Sequence, residues 1–331
     1  MGANSKQHYI PQSLLKMFTF QSNSLWQFSK STNKITQRNV KNAAYQKHFY
    51  NAEVEGEDVD PLFFEKELCK IEDPAIEIIK KISKDNYKLS IGDKEILTLY
   101  LVLLELRTPA KRDEMSIMAD KLLKPLFIKE MQREGKFDKQ EADDVQNHFD
   151  IKLNNNGHLG NISVTMQELF QIYKNKHWTF STCDKATSFI IADNPTILYA
   201  HPANLNKGGV IQEGSFKFFP LRSDLCLFMG DDIGAEYSFI SLSKSEVKAL
   251  NIDLMTHSKE YCYGKSDIQL DFITKKASLE AFSIEDKFKF TTLKTDKENE
   301  EILWGHLFYS IYLYEPIRQK INREKQGFMV K

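Results

Sequence analysis

TMQELFQIYKNKHWTFSTC, residues 165–183, changes its period halfway along. Up to Lys176 the apolar side chains recur at helical spacing, and from His177 they alternate as they do on a half-buried strand. The switch divides the chain into two kinds of sequence. On the C-terminal side strand-like runs follow one another: SFIIADN (188–194), FKFFPL (216–221), LCLFMG (225–230) and EYCYGK (260–265), separated by Gly, Asn and Asp clusters. One helix interrupts them, SKSEVKALNIDLMTHSK (243–259), with Ser243 or Ser245 as its N-cap.

On the N-terminal side the period is helical from Asp60 to Glu134. Asp60 is placed to cap a helix with Pro61 in its first turn, and FFEKELCKIEDPAIEIIKKI (63–82) sets Phe64, Leu68, Ile71, Ile78 and Ile82 near one face. Pro74 is expected to kink or break that helix after Glu72. GDKEILTLYLVLLELRTPAKRDEMSIMADKLLKPLF (92–127) reads as a long buried helix interrupted near Pro109. The polar, Asn-rich stretch from Glu134 to Leu159 reads as an exposed excursion with one short helix. Before all of these, residues 25 to 40 alternate around the turn STNK, which predicts a β-hairpin that joins the later strands. The pattern predicts an α+β fold, a helical layer packed on a mainly antiparallel sheet. Residues 1–285 are expected to form a single domain, with 286–331 as a C-terminal extension packed on it.

Composition sets the outer bounds. Of 331 residues, 41% are apolar and 27% charged, which fits a globular chain and not a disordered one. Lys plus Arg number 45 against 46 Asp plus Glu, so no overall basic excess steers the molecule to extended nucleic acid. Cys69, Cys183, Cys226 and Cys262 stand far apart without a C-x-x-C pair, and each is expected as a reduced cysteine in the apolar core. The longest apolar run, ILTLYLVLLEL (96–106), is too short to cross a bilayer, and the opening residues lack a signal peptide's apolar stretch. No membrane partner and a cytoplasmic location are expected; no feature assigns an oligomeric state.

Three polar motifs stand at the ends of apolar elements. In HYIPQSLLKMF (8–18), Pro11 suits a helix start, and Leu14, Leu15 and Phe18 predict a short buried helix. That leaves His8 and Gln12 at its mouth and Lys16 one turn on, a setting that favours an anion. In LELRTPAKRDE (104–114), Arg107 leaves a strongly apolar helix, either to pair with Glu105 or Glu72 or to clamp a phosphate or carboxylate. In SFIIADNPTILY (188–199), Asp193 and Asn194 end an apolar run, either as a turn or aimed from a strand end into a cleft.

Together with VKNAAYQKHFY (40–50) and FFPLRSDLCLFMG (218–230), these segments resemble the uncharacterised bacterial family called domain of unknown function 4238. The resemblance rests on His8, Tyr9, Pro11 and Gln12, then Arg107 and Pro109, then Asp193, Asn194 and Pro195, and it covers roughly residues 6 to 265. Ala192 stands where that family usually has Ser, which removes a hydroxyl from the motif. The resemblance implies a grouping and no reaction.

Two functions are expected from the residues. One is a phosphodiester hydrolase or nuclease of a bacterial defence or toxin system, acting on a phosphorylated small molecule, a nucleotide or a nucleic-acid end. In it Asp193 and Glu72 hold Mg²⁺ or Mn²⁺, His8 is general acid or base, and Gln12, Lys16, Arg107 and Asn194 bind the anionic substrate. The other is a non-catalytic sensor or interaction module in which the same polar groups are structural. Walker A, G-x-G-x-x-G, G-x-S-x-G and H-E-x-x-H signatures are all missing from the sequence. No convincing carboxylate pair of the PD-(D/E)xK kind is present either.

Overall fold

The computed structural model describes residues 6–50, 63–199, 210, 214–231, 236–279, 288–294, 301–307 and 318–320. The chain begins with β1 (Lys6–His8), α1 (Gln12–Leu15) and a 3₁₀ turn (Lys16–Phe18). The hairpin β2 (Ser24–Ser29) and β3 (Lys34–Asn39) follows, then a short β4 (Tyr45–Lys47). The helical stretch is α2 (Phe63–Lys81), α3 (Ile91–Leu106), α4 (Pro109–Arg133), α5 (Lys139–His148) and α6 (Asn155–Lys174). The later half carries β5 (His177–Cys183), β6 (Ile191–Ala192), β7 (Ile197–Tyr199), β8 (Phe216–Arg222), β9 (Leu225–Gly230) and β10 (Tyr237–Leu242). It closes with α7 (Lys244–His257), β11 (Tyr261–Gly264), α8 (Asp267–Thr274) and the antiparallel pair β12 (Phe288–Lys294) and β13 (Glu301–Leu307).

The fold is α+β. Five strands form one sheet in the order β10–β5–β9–β8–β7, antiparallel except for the parallel edge pair β10–β5. A second, antiparallel sheet has the order β3–β2–β11–β6. The N-terminal hairpin thus joins a late strand, Trp26 to Ser29 lying against Gly264 to Tyr261, as its alternation predicted.

α3 is the spine of the helical layer. Leu97, Tyr100, Leu101, Val102, Leu103, Leu104 and Leu106 are all buried, which explains a helix apolar on nearly every side. It ends at Arg107, and Thr108 restarts the chain as N-cap of α4, its hydroxyl accepting from the Lys111 N–H at 3.1 Å. The break expected near Pro109 comes from that cap together with a proline that suits a first turn. α2 runs unbroken through Pro74, so of the expected kink or break the break does not occur. The helix loses one N–H there, and Ala75, Ile76 and Ile79 beyond it are buried, so packing outweighs the missing donor. The cap at Asp60 and Pro61 lies outside the described residues. α6 starts ten residues before the expected Thr165, because Asn154 caps it by accepting the Gly157 N–H at 2.8 Å.

Layers and sheets are tied by buried polar contacts. Lys217 of β8 donates to both carboxylate oxygens of Glu105 on α3 at 2.5 Å, and Tyr173 of α6 donates to the same carboxylate at 2.6 Å. Arg222, at the bulged end of β8, donates to the carbonyls of Ile79 and Ile82 at 2.8 and 3.1 Å and so closes the C-terminal end of α2. Met17 O accepts from the Ser223 N–H at 3.1 Å, which fixes the first helix against the β8–β9 turn. Among the described residues no helix is long and apolar enough to cross a membrane.

Candidate functional site

The N-terminal segment is held as an added strand. β1 pairs antiparallel with β4, setting His8 opposite Tyr45, and the Tyr9 N–H continues the ladder to the Ala44 carbonyl at 3.0 Å. Alternation then sorts the side chains: Gln7 and Tyr9 point inward and are buried, while His8 remains half-buried. Gln7 Oε1 accepts the Tyr50 N–H at 2.5 Å, and the Tyr50 hydroxyl donates to the Arg107 carbonyl at 3.1 Å. This chain of contacts fixes the first strand relative to the C-terminal end of α3.

Between them lies a cleft of about 370 Å³. His8, Pro11 and Gln12 form one wall, Cys69 and Glu72 of α2 another, and Arg107 stands at the base. The Gln12 side-chain amide lies 3.1 Å from His8 Nε2, so the amide donates and the imidazole accepts. Burial pushes the His8 pKa down to about 4; the Ala43 carbonyl works against this, and the Arg107 charge adds to it. The ring is therefore neutral at pH 7 and presents a base.

Arg107 is 1% exposed. Its Nη1 donates to Glu72 Oε1 at 2.5 Å. Burial works against the charged guanidinium, but Glu72, Tyr50 and Tyr100 outweigh it and hold the pKa above the ordinary value. Among the described residues Nε and Nη2 have no hydrogen-bond partner, and neither has the nearby Tyr100 hydroxyl. Leaving charged N–H groups buried and unpaired costs several kcal/mol on the usual scale. Nε and Nη2 form one edge of the guanidinium plane, spaced to meet two oxygens of one carboxylate or phosphate. Glu72 occupies the other end of the group.

Of the residues singled out in the sequence, His8, Gln12, Glu72 and Arg107 meet in this cleft. Lys16 does not: it is exposed and sits on the 3₁₀ turn past α1. Asp193 departs furthest from its expected role. It is 2% exposed, and its carboxylate accepts the backbone N–H groups of Lys259, Glu260 and Tyr261 at 2.8, 2.6 and 2.8 Å. Burial pushes its pKa up and these three hydrogen bonds pull it down, leaving it above the ordinary value. The group pins the start of β11 against β6 and does not line the cleft. Asn194 does related work nearby, donating to the His257 carbonyl at 3.2 Å.

A divalent ion held by Asp193 and Glu72 does not fit this arrangement. One carboxylate is spent on three backbone donors and the other on Arg107, and among the described residues no group of three His, Cys, Asp or Glu side chains could hold a metal. α1 has only four residues, with Pro11 as N-cap and not in the first turn, so it supplies no anion site of its own. Cys69 corrects a further expectation. It is exposed on the cleft wall, whereas Cys226 and Cys262 are core residues and Cys183 is intermediate. The signal was legible as spacing: Lys66, Cys69 and Glu72 or Asp73 recur every third or fourth residue, one face of α2.

No curated protein and no solved structure matches the chain. The family profile described as "Protein of unknown function (DUF4238)" matches residues 6–267, which takes in the whole Arg107 cleft and the five- and four-stranded sheets. The chain belongs to that family.

Proposed function

We propose that the cleft at Arg107 binds the phosphate group of a small phosphorylated molecule, a nucleotide or a nucleic-acid end, and that the protein acts as a sensor of that ligand. The observations that carry this reading are that Arg107 lines an open cleft and that its buried Nε and Nη2 have no hydrogen-bond partner among the described residues. A bound oxyanion supplies two acceptors to the edge these form and offsets the charge that Glu72 alone balances. Gln12 and the neutral His8 add hydrogen-bonding groups at the rim. One specific observation favours a second reading, hydrolysis of a phosphodiester at the same place. His8 is neutral at pH 7, and its Nε2, which accepts the Gln12 amide, is the nitrogen that takes a proton from water once water displaces that amide.

Thermal unfolding in the presence of millimolar AMP and inorganic phosphate tests binding, since a ligand of the native state raises apparent stability. A rise in Tm that Arg107→Lys removes supports the site, because lysine offers a point charge and no planar edge. No rise with either anion overturns it. Turnover of a dinucleotide that His8→Asn abolishes would add the hydrolase reading to the sensor.

A further inference from the structure

A second cleft, of about 430 Å³, opens between residues 185–188, the first turns of α7 and the start of α8. Lys185, Lys244, Lys248 and Lys265 all line it, and among the described residues no Asp or Glu does. Lys244 and Lys248 are four residues apart on α7 and therefore share a face, an arrangement that like charges oppose. The carboxylates nearby in sequence are engaged elsewhere: Asp184 accepts the Ala186 N–H at 3.0 Å, Asp224 pairs with Arg222, Asp271 with Lys275 and Glu246 with Lys320. Asp267 is exposed at the first turn of α8 and does not line the cleft. Since the whole chain carries a net charge of −1, the positive excess is a local feature and not a general property.

The floor of this cleft is tied together by hydrogen bonds. Gln269 and Ser188 exchange two hydrogen bonds, the Ser188 hydroxyl to Gln269 Oε1 and the Gln269 amide to the Ser188 carbonyl, each at 2.5 Å. Asn251, fully buried, donates to that same carbonyl at 2.8 Å and accepts the Ile190 N–H at 3.1 Å. One wall is apolar and open to solvent: Ile268 is 79% exposed and Phe272 is 38% exposed. The Lys248 ammonium lies 4.1 Å from the centre of the Phe272 ring. Cationic and apolar surface thus meet over a polar floor.

We propose that this cleft binds a small, multiply phosphorylated molecule with an aromatic or apolar body, of the nucleoside polyphosphate class. Four lysines from three chain segments lining one cleft match a compact polyanion of three or four charges. An extended acidic chain would be met by a stripe. The volume is that of a small-molecule site. Ile268 and Phe272 supply a surface for the body, and the lysines supply point charges for the phosphates.

Calorimetric titration of the full chain with ATP, with inorganic triphosphate and with a ten-nucleotide oligo(dT) tests the proposal. ATP is expected to bind, triphosphate to bind more weakly for want of the apolar wall, and both to weaken as salt is added. Lys248→Gln combined with Lys265→Gln should weaken ATP at least tenfold. The same double variant should keep the wild-type urea midpoint and the wild-type thermal response to inorganic phosphate, so this site and the Arg107 cleft fail or stand separately. Absence of ATP binding at millimolar concentration overturns the proposal. So does an ATP affinity unchanged in the double variant, or oligo(dT) binding in preference to ATP.

Discussion

Asp193 and Arg107 are both buried, both ionisable and both placed where an apolar element ends, yet the structure uses them in opposite ways. Asp193 accepts three backbone N–H groups and holds β11 in register beside β6. Arg107 gives one nitrogen to Glu72, and its two others have no hydrogen-bond partner among the described residues. Burial of an ionisable group therefore does not mark a binding site. What sets Arg107 apart from Asp193 is hydrogen-bonding capacity left unmatched among the described residues, which native structures rarely leave.

The comparison is tested hardest at Asp193. Asp193→Ala removes the buried acceptor of three part-buried backbone donors, so unfolding free energy should fall by about 2–3 kcal/mol. Asp193→Asn keeps an oxygen for part of the set and should cost roughly half as much. Urea unfolding of both variants measures this. A stability within 0.5 kcal/mol of wild type, on the usual scale of surface changes, would mean that Asp193 is not a structural anchor.

Glu72→Gln comes next. It keeps a hydrogen-bond acceptor for Arg107 but takes away the countercharge; with Glu72 partly solvated, the expected loss is about 2–3 kcal/mol. The contrast with Asp193 lies in recovery. Phosphate bound to the guanidinium should restore much of the loss, up to about 2.7 kcal/mol at a hundredfold excess over Kd. No phosphate recovers Asp193→Ala. Equal recovery in the two variants would dissolve the distinction between them.

Much of the fold was legible because period and punctuation agree. β5 covers the alternating run His177–Cys183, Ser243 caps α7 with Glu246 closing a capping box, and Thr108 explains the break before α4. β7, β10 and α8 carried weaker signals, being short or flanked by strong turn formers. Pro74 does not break α2 because a buried face can override a lost donor. For the site, the sequence showed which residues end apolar elements and not what each meets there. Asp193 meets three amides supplied by residues 259–261, a pairing of |i−j| above 60 that no local pattern encodes. Cys69 was assigned to the core from its apolar neighbours, although its helical phase places it beside Glu72.

Acid separates the cleft from the core in a smaller way. His8 titrates at about 4 in the folded chain, against an ordinary value near 6.5, so between these pH values the unfolded chain binds a proton that the folded one refuses. The stability due to this group is fully present above about pH 6.5 and is lost as pH falls toward 4. Its slope is up to about 1.4 kcal/mol per pH unit. His158, fully buried against Phe49 and also held near 4, should contribute in the same direction. His8→Asn should lower the measured slope between pH 6.5 and 4.5, and binding of phosphate beside a protonated His8 should lessen the wild-type loss. A variant with the wild-type slope would show that His8 is solvated in the folded chain.

Lys16 should give the smallest effect and the sharpest discrimination. It is exposed on the 3₁₀ turn after α1, its backbone carbonyl accepts the Thr19 hydroxyl at 2.8 Å, and it does not line the Arg107 cleft. Lys16→Gln should leave stability within about 0.5 kcal/mol of wild type, as exposed positions do. If the oxyanion sits on Arg107, the substitution changes phosphate affinity only through screened charge, by less than about threefold, and added salt should erase even that. If the anion instead sits at the mouth of α1, Lys16→Gln should weaken binding strongly while Arg107→Lys leaves it intact. Measuring phosphate affinity for the two variants side by side therefore decides which end of the first helical turn faces the ligand. The four-residue length of α1, and the edge of Arg107 that has no partner among the described residues, place the expected answer with Arg107.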